Sequence, residues 1–347
     1  MTQPRVDDLL CRLLVQCAPE QAVAAADIAT GYRSGLVLTG PKPRNTVRHL
    51  RRTGHDGPIL CDAGRYAGNH PLRAGAGLRR AWTAEQHDLG LVALTDSGFL
   101  APGDWPGLHR LLADARGHPP PLLVMLPLGA GWFAVPAWID RLVATLNSAR
   151  LPVAVAIIGD SFATRYVTRG LIRLLTVTVP VVLLRADIGA LGAVCHGAHA
   201  GALATTSGLF VPALLGHHRP AVLARIVART PDLARRWPCG CPECGGTVPG
   251  DLSPDGIYRH SLHAQLSLGD RLLATRHDVA AMTRSWRVHC DDALSLHEEI
   301  AGLMPPWPVP PALRWWRDAQ PPSVGAAVPC QSTYNPDPRP RIDRRTS

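Results

Sequence analysis

Three cysteines fall within six residues in Arg236-Trp-Pro-Cys239-Gly-Cys241-Pro-Glu-Cys244-Gly-Gly246. Cys239 and Cys241 are too near each other for an easy disulfide. A Cys-x-Cys-x-x-Cys run in a Gly/Pro-rich loop can instead turn three thiolates toward one ion. Zinc takes four N or S donors in a tetrahedron, so a fourth ligand must come from elsewhere. The leading candidate is His277, which follows one helical stretch and opens another, because a helix end holds an imidazole rigidly over a loop. His260, His263 and Cys290 are its rivals. The expectation is one structural zinc per chain in a Cys3His site.

A second set of chemically capable residues recurs where short apolar runs end. Asp62 follows Ile-Leu-Cys, Asp96 follows Ala-Leu-Thr, Asp160 follows Ile-Ile-Gly, and Asp187 follows Leu-Leu-Arg-Ala. Carboxylates gathered on one face can serve as nucleophile, as general acid or base, or as acceptors for the N–H edge of a purine. Asp160 precedes Ser161 and a helical stretch, so a helix-capping role suits it best.

The elements that position these residues alternate. Apolar runs at 35–39, 58–61, 91–94, 122–126, 153–158, 179–184 and, more weakly, 202–205 read as buried strands. Helical patterns at 45–52, 105–116, 137–149, 164–175 and 190–200 separate most of them. Such alternation implies a parallel sheet, and this many units favours an α/β (β/α)8 TIM-like barrel with a C-terminal zinc-binding Cys3His subdomain. In such a barrel the strand ends collect on the face that carries the active site. Residues 6–26 read as helical, with Leu9, Leu10, Leu13 and Leu14 on their apolar positions, so the missing eighth strand is expected near Ile28 or within 210–228. The implied organisation is an N-terminal helical segment over 1–30, the barrel over 31–235, and a zinc-binding helical subdomain over 236–304. A Pro-rich arm and basic tail, expected to be partly disordered, follow over 305–347.

Composition narrows the setting. The chain has 347 residues, 46% of them hydrophobic, enough for a substantial core, and its apolar runs are too short to span a bilayer. Asp7 and Asp8 stand where a signal peptide would need an apolar core, and nine cysteines without a framework pattern suit a reducing cytoplasm. The formal charge of +9 invites a nucleic-acid partner. Lys42, Arg44, Arg48, Arg51 and Arg52 form a candidate phosphate-facing patch, or equally a solvated helix face. His196, His199, His217 and His218 read as ordinary surface histidines, and His289-Cys290-Asp291-Asp292 as a capped helix end. Trp132 can stack a base or cap the barrel core.

Taken together, these residues resemble the tRNA-guanine transglycosylase family, zinc-containing barrels that exchange guanine for a 7-deazaguanine. The zinc segment carries the resemblance most specifically. The family follows its three cysteines with a helix bearing Arg and paired His, then a Leu-rich turn ending in His-Asn. Here Tyr258-Arg-His-Ser-Leu-His263 and Gly269-Asp-Arg-Leu-Leu-Ala-Thr-Arg-His277-Asp278 are similar, with Asp278 in place of Asn. The resemblance implies His277 as fourth ligand. Cys61-Asp62-Ala-Gly-Arg-Tyr66 resembles the family's Thr-Asp-Ser-Gly-Gly-Tyr, which implies that Asp62 works beside the ribosyl centre and that Tyr66 stacks on the base. Asp96 and Gly159 match positions that contact the base. The resemblance covers residues 35–286, and it breaks at the family's nucleophile. Ala204-Thr205-Thr206-Ser207 stands where a carboxylate is expected, and Pro127 lies near the position of a base-reading glutamine.

The implied activity is exchange of guanine in nucleic acid, tRNA or DNA, for a 7-deazaguanine derivative. Asp62 or Asp187 would replace the missing nucleophile, because a Thr or Ser hydroxyl is barely ionised without a dedicated base. Two alternatives remain. One is a non-catalytic zinc-containing partner subunit of an active transglycosylase; the other is an enzyme acting on a free base or nucleoside. The partners expected besides nucleic acid are a second copy, as a homodimer, or a related transglycosylase chain, as a heterodimer.

Overall fold

The structure is a computed structural model that describes residues 4–68, 70–159, 164–204, 208–235, 239–245 and 252–320. Asp160, residues 205–207, Arg236-Trp237-Pro238, residues 246–251 and residues 321–347 lie outside the described residues.

Eight strands form one parallel sheet: β1 Arg12–Cys17, β2 Gly35–Thr39, β3 Ile59–Asp62, β4 Ala93–Leu94, β5 Leu122–Gly129, β6 Val153–Ile158, β7 Val181–Leu184 and β8 Ala200–Ala204. Their order, β3-β2-β1-β8-β7-β6-β5-β4, curls into a nearly closed barrel. Helices α1 Ala22–Gly31, α2 Arg44–Arg52, α3 Arg80–Asp88, α4 Trp105–Ala115, α5 Pro136–Ala149, α6 Arg165–Leu174 and α7 Asp187–Cys195 link successive strands. After β8 come the antiparallel hairpin β9 Leu209–Val211 and β10 Gly216–His218, then α8 Pro220–Arg229, α9 Pro231–Ala234, α10 Pro254–Leu272, α11 Val279–Leu303 and α12 Pro311–Arg317.

Period-two alternation sorts the strand residues cleanly. Leu14, Val37, Leu60, Leu94, Leu123, Met125, Ala154, Ala156, Val182, Leu184, Ala200 and Ala202 fill the barrel interior. Their neighbours Leu13, Val15, Leu36, Leu38, Val124, Val155 and Leu183 face the surrounding helices in a second core. Both faces of each strand are therefore dry, which is why the strands read as continuous apolar runs. Two residues beyond Leu14, Val37, Leu60 and Leu94 stand Gln16, Thr39, Asp62 and Asp96. The same alternation that fills the interior thus sets a polar layer at its C-terminal end.

The N-terminal segment differs from the helix expected of it. A single turn at Val6–Leu9 is followed by β1, which pairs with both β2 and β8, so the barrel begins at Arg12 and β1 is the strand sought near Ile28 or within 210–228. Leu13 and Val15 are buried outward and Leu14 inward. An apolar run buried on both sides carries no alternation and passes for helix. Leu9 enters the interior cluster and plugs the end of the barrel opposite the mouth.

No ladder joins β3 to β4 among the described residues. Ala93 and Thr95 give their N–H groups to the carbonyls of Pro121, just before β5, and Leu123 within it, which leaves the backbone of Leu94 directed at this seam. Gln86 of α3 supplies the missing partner: Leu94 donates to its Oε1 at 2.9 Å, and its Nε2 donates to the Leu94 carbonyl at 3.0 Å. A side-chain amide does the work of a strand there.

Candidate metal centre and barrel mouth

Cys239, Cys241, Cys244 and His260 bring one ligand atom each to within 4.8 Å of all the others. Cys241 Sγ lies 3.4 Å from Cys244 Sγ and 3.2 Å from His260 Nδ1. A tetrahedral zinc site has edges of roughly 3.6–3.8 Å, so one ion fits with shifts of up to about an ångström. The Cys239 thiol donates toward Cys241, which holds Cys241 down at about 3 and pushes Cys239 up in turn. Thiolate is the ligand form, and Cys241 already favours it.

Local sequence builds this arrangement. Ser253 caps α10 by accepting from Gly256 N–H at 3.1 Å, and Pro254 opens the helix at a position that has no use for an N–H. His260 then falls on the second turn, facing the cysteine loop. Its Nε2 lies 2.9 Å from the carbonyl of Phe210. A carbonyl only accepts, so Nε2 carries the proton and Nδ1 turns its lone pair to the sulfurs. A ligating imidazole commonly has a partner of this kind. The adjacent Ser261 Oγ accepts from Phe210 N–H at 3.0 Å, so α10 holds both backbone groups of that β9 residue. Glu243 anchors the cysteine loop through Arg259 at 2.7 Å. At Gly269 the same helix passes β1 so closely that a Cβ has no room beside Leu13.

His260 therefore takes the place expected of His277. Twelve further residues of α10 separate His260 from Leu272, about 18 Å of helix axis, and His277 lies exposed beyond that end. Asp278, the residue in place of the family's Asn, caps α11 by accepting from Ala281 N–H at 2.9 Å. Of the other rivals, His263 bonds Tyr32 Oη at 3.2 Å, and Cys290 is buried within α11.

Asp62 and Asp96 come together at the C-terminal mouth, both nearly fully buried. Asp62 Oδ1 accepts from Gly64 N–H at 2.9 Å. Its Oδ2 accepts from Tyr66 at 2.7 Å and Gln16 at 3.2 Å, with Arg185 Nε at 3.5 Å. Tyr66 is buried as well, and the Arg185 guanidinium lies 5.0 Å over its ring. Burial and the Asp62 charge push the Tyr66 hydroxyl well up, so it stays a donor. Asp96 is clamped between arginines: Arg65 reaches Oδ2 at 2.6 Å, Arg79 Nε meets the same oxygen, and Arg79 N–H reaches Oδ1 at 3.0 Å.

Asp187 is different. Its side chain keeps 40% of its surface, and its contact is His217 Nδ1 at 3.3 Å. Arg185 and Asp187 adopt φ of 54° and 42°, a left-handed backbone that costs a non-glycine residue about 1–3 kcal/mol. Gly159, at the end of β6, takes φ of 108°, which glycine accepts freely.

Other expectations resolve differently. The histidines read as surface groups are inside: His196 is fully buried and bonds the Gly192 carbonyl at 2.7 Å, and His199 bonds the Val6 carbonyl at 3.0 Å. His218 stacks on Trp307 with centroids 5.1 Å apart. Residues 289–292 lie inside α11 rather than at a helix end. Trp132 is core, donating to the Leu100 carbonyl at 3.1 Å. In the basic patch Arg44 is paired with Glu85 at 2.9 Å and Arg51 bonds the carbonyls of His55 and Gly57. Arg48 and Arg52 are exposed. Sequence reasoning passed over Arg65, Arg79, Arg185 and Gln16. Only Gln16 carried a signal, as a lone polar residue inside an apolar run.

No family model and no curated protein matches this chain. Among solved structures it is similar to a pyruvate carboxylase variant from Rhizobium etli with the allosteric activator acetyl coenzyme A, at 12% identity and a TM-score of 0.38, over 85% of this chain and 34% of that one. The complete multifunctional pyruvate carboxylase of the same organism gives 12% identity and a TM-score of 0.38, over 83% and 31%. The chain spans about a third of the length of these enzymes. No described helix is long and apolar enough to cross a membrane.

Proposed function

We propose that this chain is a base-exchange enzyme of the guanine transglycosylase type, replacing guanine in tRNA or DNA by a 7-deazaguanine derivative in the cytoplasm. The observation that carries the reading is the layer of strand-end carboxylates at the mouth of a barrel whose next segment is held by a Cys3His cluster. Displacement at an anomeric carbon needs a carboxylate to hold the sugar while the purine leaves. The mouth also shows guanidiniums to solvent, since Arg79 and Arg185 keep 52% and 30% of their side-chain surface. Cations placed there suit the phosphates flanking a nucleotide. Asp62, Asp96 and Gly159 would frame the base and sugar, and Tyr66 would stack only once Arg185 moved off its ring. The metal would be zinc, which suits a closed set of three thiolates and one imidazole, and its part would be structural.

The test is incorporation of labelled guanine or 7-deazaguanine into tRNA and, in parallel, into DNA, with Asp62→Asn beside the wild type. Label entering one polymer and absent with the variant supports exchange and names the substrate. One specific observation favours a second reading, a non-catalytic partner subunit: every oxygen of Asp62 and Asp96 already meets donors of its own chain. That reading predicts an inert isolated protein that copurifies with a second transglycosylase-like chain.

A further inference from the structure

We infer that Asp187, oriented by His217, is the carboxylate that reacts at the barrel mouth. The assignment rests on the base-exchange reading and supplies the nucleophile that reading lacks. Asp62 is 1% exposed and meets a backbone N–H, an amide, a phenol and a guanidinium. Asp96 is 2% exposed and meets two guanidiniums and a backbone N–H. Carboxylates enclosed in this way can border the site but are not free to attack a sugar carbon.

Asp187 occupies the same end of the barrel with the opposite character. Its Oδ1 is buried and directed at His217 Nδ1, while the side chain remains 40% exposed, so the open surface lies on the other side of the carboxylate. It is the first residue of α7, one past the N-cap Ala186. Its backbone is left-handed, with φ of 42°, and its side chain meets the imidazole. Strained backbone of this kind clusters at functional sites.

His217 is built to hold it. The ring is 9% exposed, packs 5.2 Å from the Phe210 ring, and sets Nε2 3.1 Å from Gln265 Nε2. An amide nitrogen donates, so Nε2 accepts and Nδ1, which carries the proton, lies 3.3 Å from Asp187 Oδ1. Gln265 lies on α10, just over one turn past His260, and Phe210 is the residue whose carbonyl receives His260. The metal centre thus fixes the hairpin that presents His217.

In the exchange, an Asp187 oxygen bonds to C1′ of the target guanosine. The C1′–N9 bond breaks with its electron pair on guanine, which takes a proton from water. The incoming 7-deazaguanine gives its N9 proton to water, bonds to C1′ and releases the carboxylate. His217 acts as a positioning residue that keeps one oxygen turned inward and the other free.

The experiment uses the full metal-loaded chain with labelled tRNA and DNA. Wild type should exchange base and, on denaturing quench, yield a hydroxylamine-sensitive polymer–protein ester that maps to Asp187. Asp187→Asn should lose both, with exchange down at least about 10⁴-fold. His217→Gln should lower kcat about 100-fold while KM for the polymer holds. A water-soluble carbodiimide with an amine should modify Asp187 and spare Asp62 and Asp96, a readout independent of turnover. Active wild type with an ester on Asp62, an undiminished Asp187→Asn, or even carbodiimide modification of all three would overturn the assignment alone. Wild type inert on both polymers would overturn the base-exchange reading, and the nucleophile with it.

Discussion

His260 gives one ring nitrogen to the Phe210 carbonyl at 2.9 Å and the other to Cys241 at 3.2 Å, so a single imidazole joins the cysteine loop to the hairpin that follows the barrel. The bond to Phe210 fixes the tautomer, and the tautomer fixes which nitrogen can ligate.

One tightly held metal per chain is therefore expected in wild type and in His277→Ala, and its loss in Cys241→Ser and His260→Ala. A structural zinc contributes about 10–16 kcal/mol to the small site it organises. The C-terminal helices should then unfold in the two metal-free variants while the barrel, with its own core, persists. Metal analysis with far-UV circular dichroism decides this. Retention of a full equivalent by His260→Ala together with loss in His277→Ala would restore His277 as the ligand.

The seam between β3 and β4 supplies a second expectation. Gln86 is fully buried and, among the described residues, alone receives the Leu94 N–H, whereas the Leu94 carbonyl also receives Trp82 Nε1 at 2.8 Å. Gln86→Met keeps volume and strands the N–H, so it should cost about 2–3 kcal/mol in urea unfolding. A Met variant as stable as wild type would show that water serves Leu94 instead.

The clamp on Asp96 supplies a third. Arg65 is 15% exposed and Asp96 has no exposed side-chain surface, so removing the carboxylate charge leaves Arg65 buried and unpaired. Breaking such a pair costs about 3–5 kcal/mol. Asp96→Asn should lose stability on that scale, and Arg65→Met combined with Asp96→Asn should recover part of it. Equal stability of Asp96→Asn and wild type, measured at one salt concentration, would contradict the clamp.

The barrel was legible because strands buried on both faces must be apolar throughout, and runs such as 153–158 leave no other reading. The same property hid β1, whose Leu13-Leu14-Val15 fits a helix and a buried strand equally well. Asp62, Asp96 and Asp187 were legible as strand-end residues, since the barrel dictates where strand ends gather. What holds each carboxylate was not. Arg65, Arg79 and Arg185 are three among many arginines, and their pairing depends on loop paths that residue types do not encode. The cysteine motif announced a metal, but the choice of histidine turned on helix length: α10 runs 19 residues and carries His277 past its far end.

The last expectation concerns acid. His196 is fully buried, with Nδ1 on the Gly192 carbonyl, Nε2 without a hydrogen-bond partner, and its ring 5.4 Å from Trp316. Burial, aided by the nearby Arg287 charge, lowers its pKa to about 4 from an ordinary value near 6.5, against the pull of the Gly192 carbonyl. The folded chain therefore keeps His196 neutral where the unfolded chain would protonate it. Its contribution to stability is complete above pH 6.5 and drains away as pH falls toward 4. Between pH 7.5 and 5 the loss comes to about 2 kcal/mol from this residue. His218, lowered to about 4 by burial and by its neighbours His297 and His217, adds a loss in the same window and direction. Unfolding in urea at the two pH values should show a clear drop for wild type and a smaller one for His196→Phe, whose ring cannot titrate. An identical pH slope in the two proteins would mean that His196 takes up its proton without leaving the core.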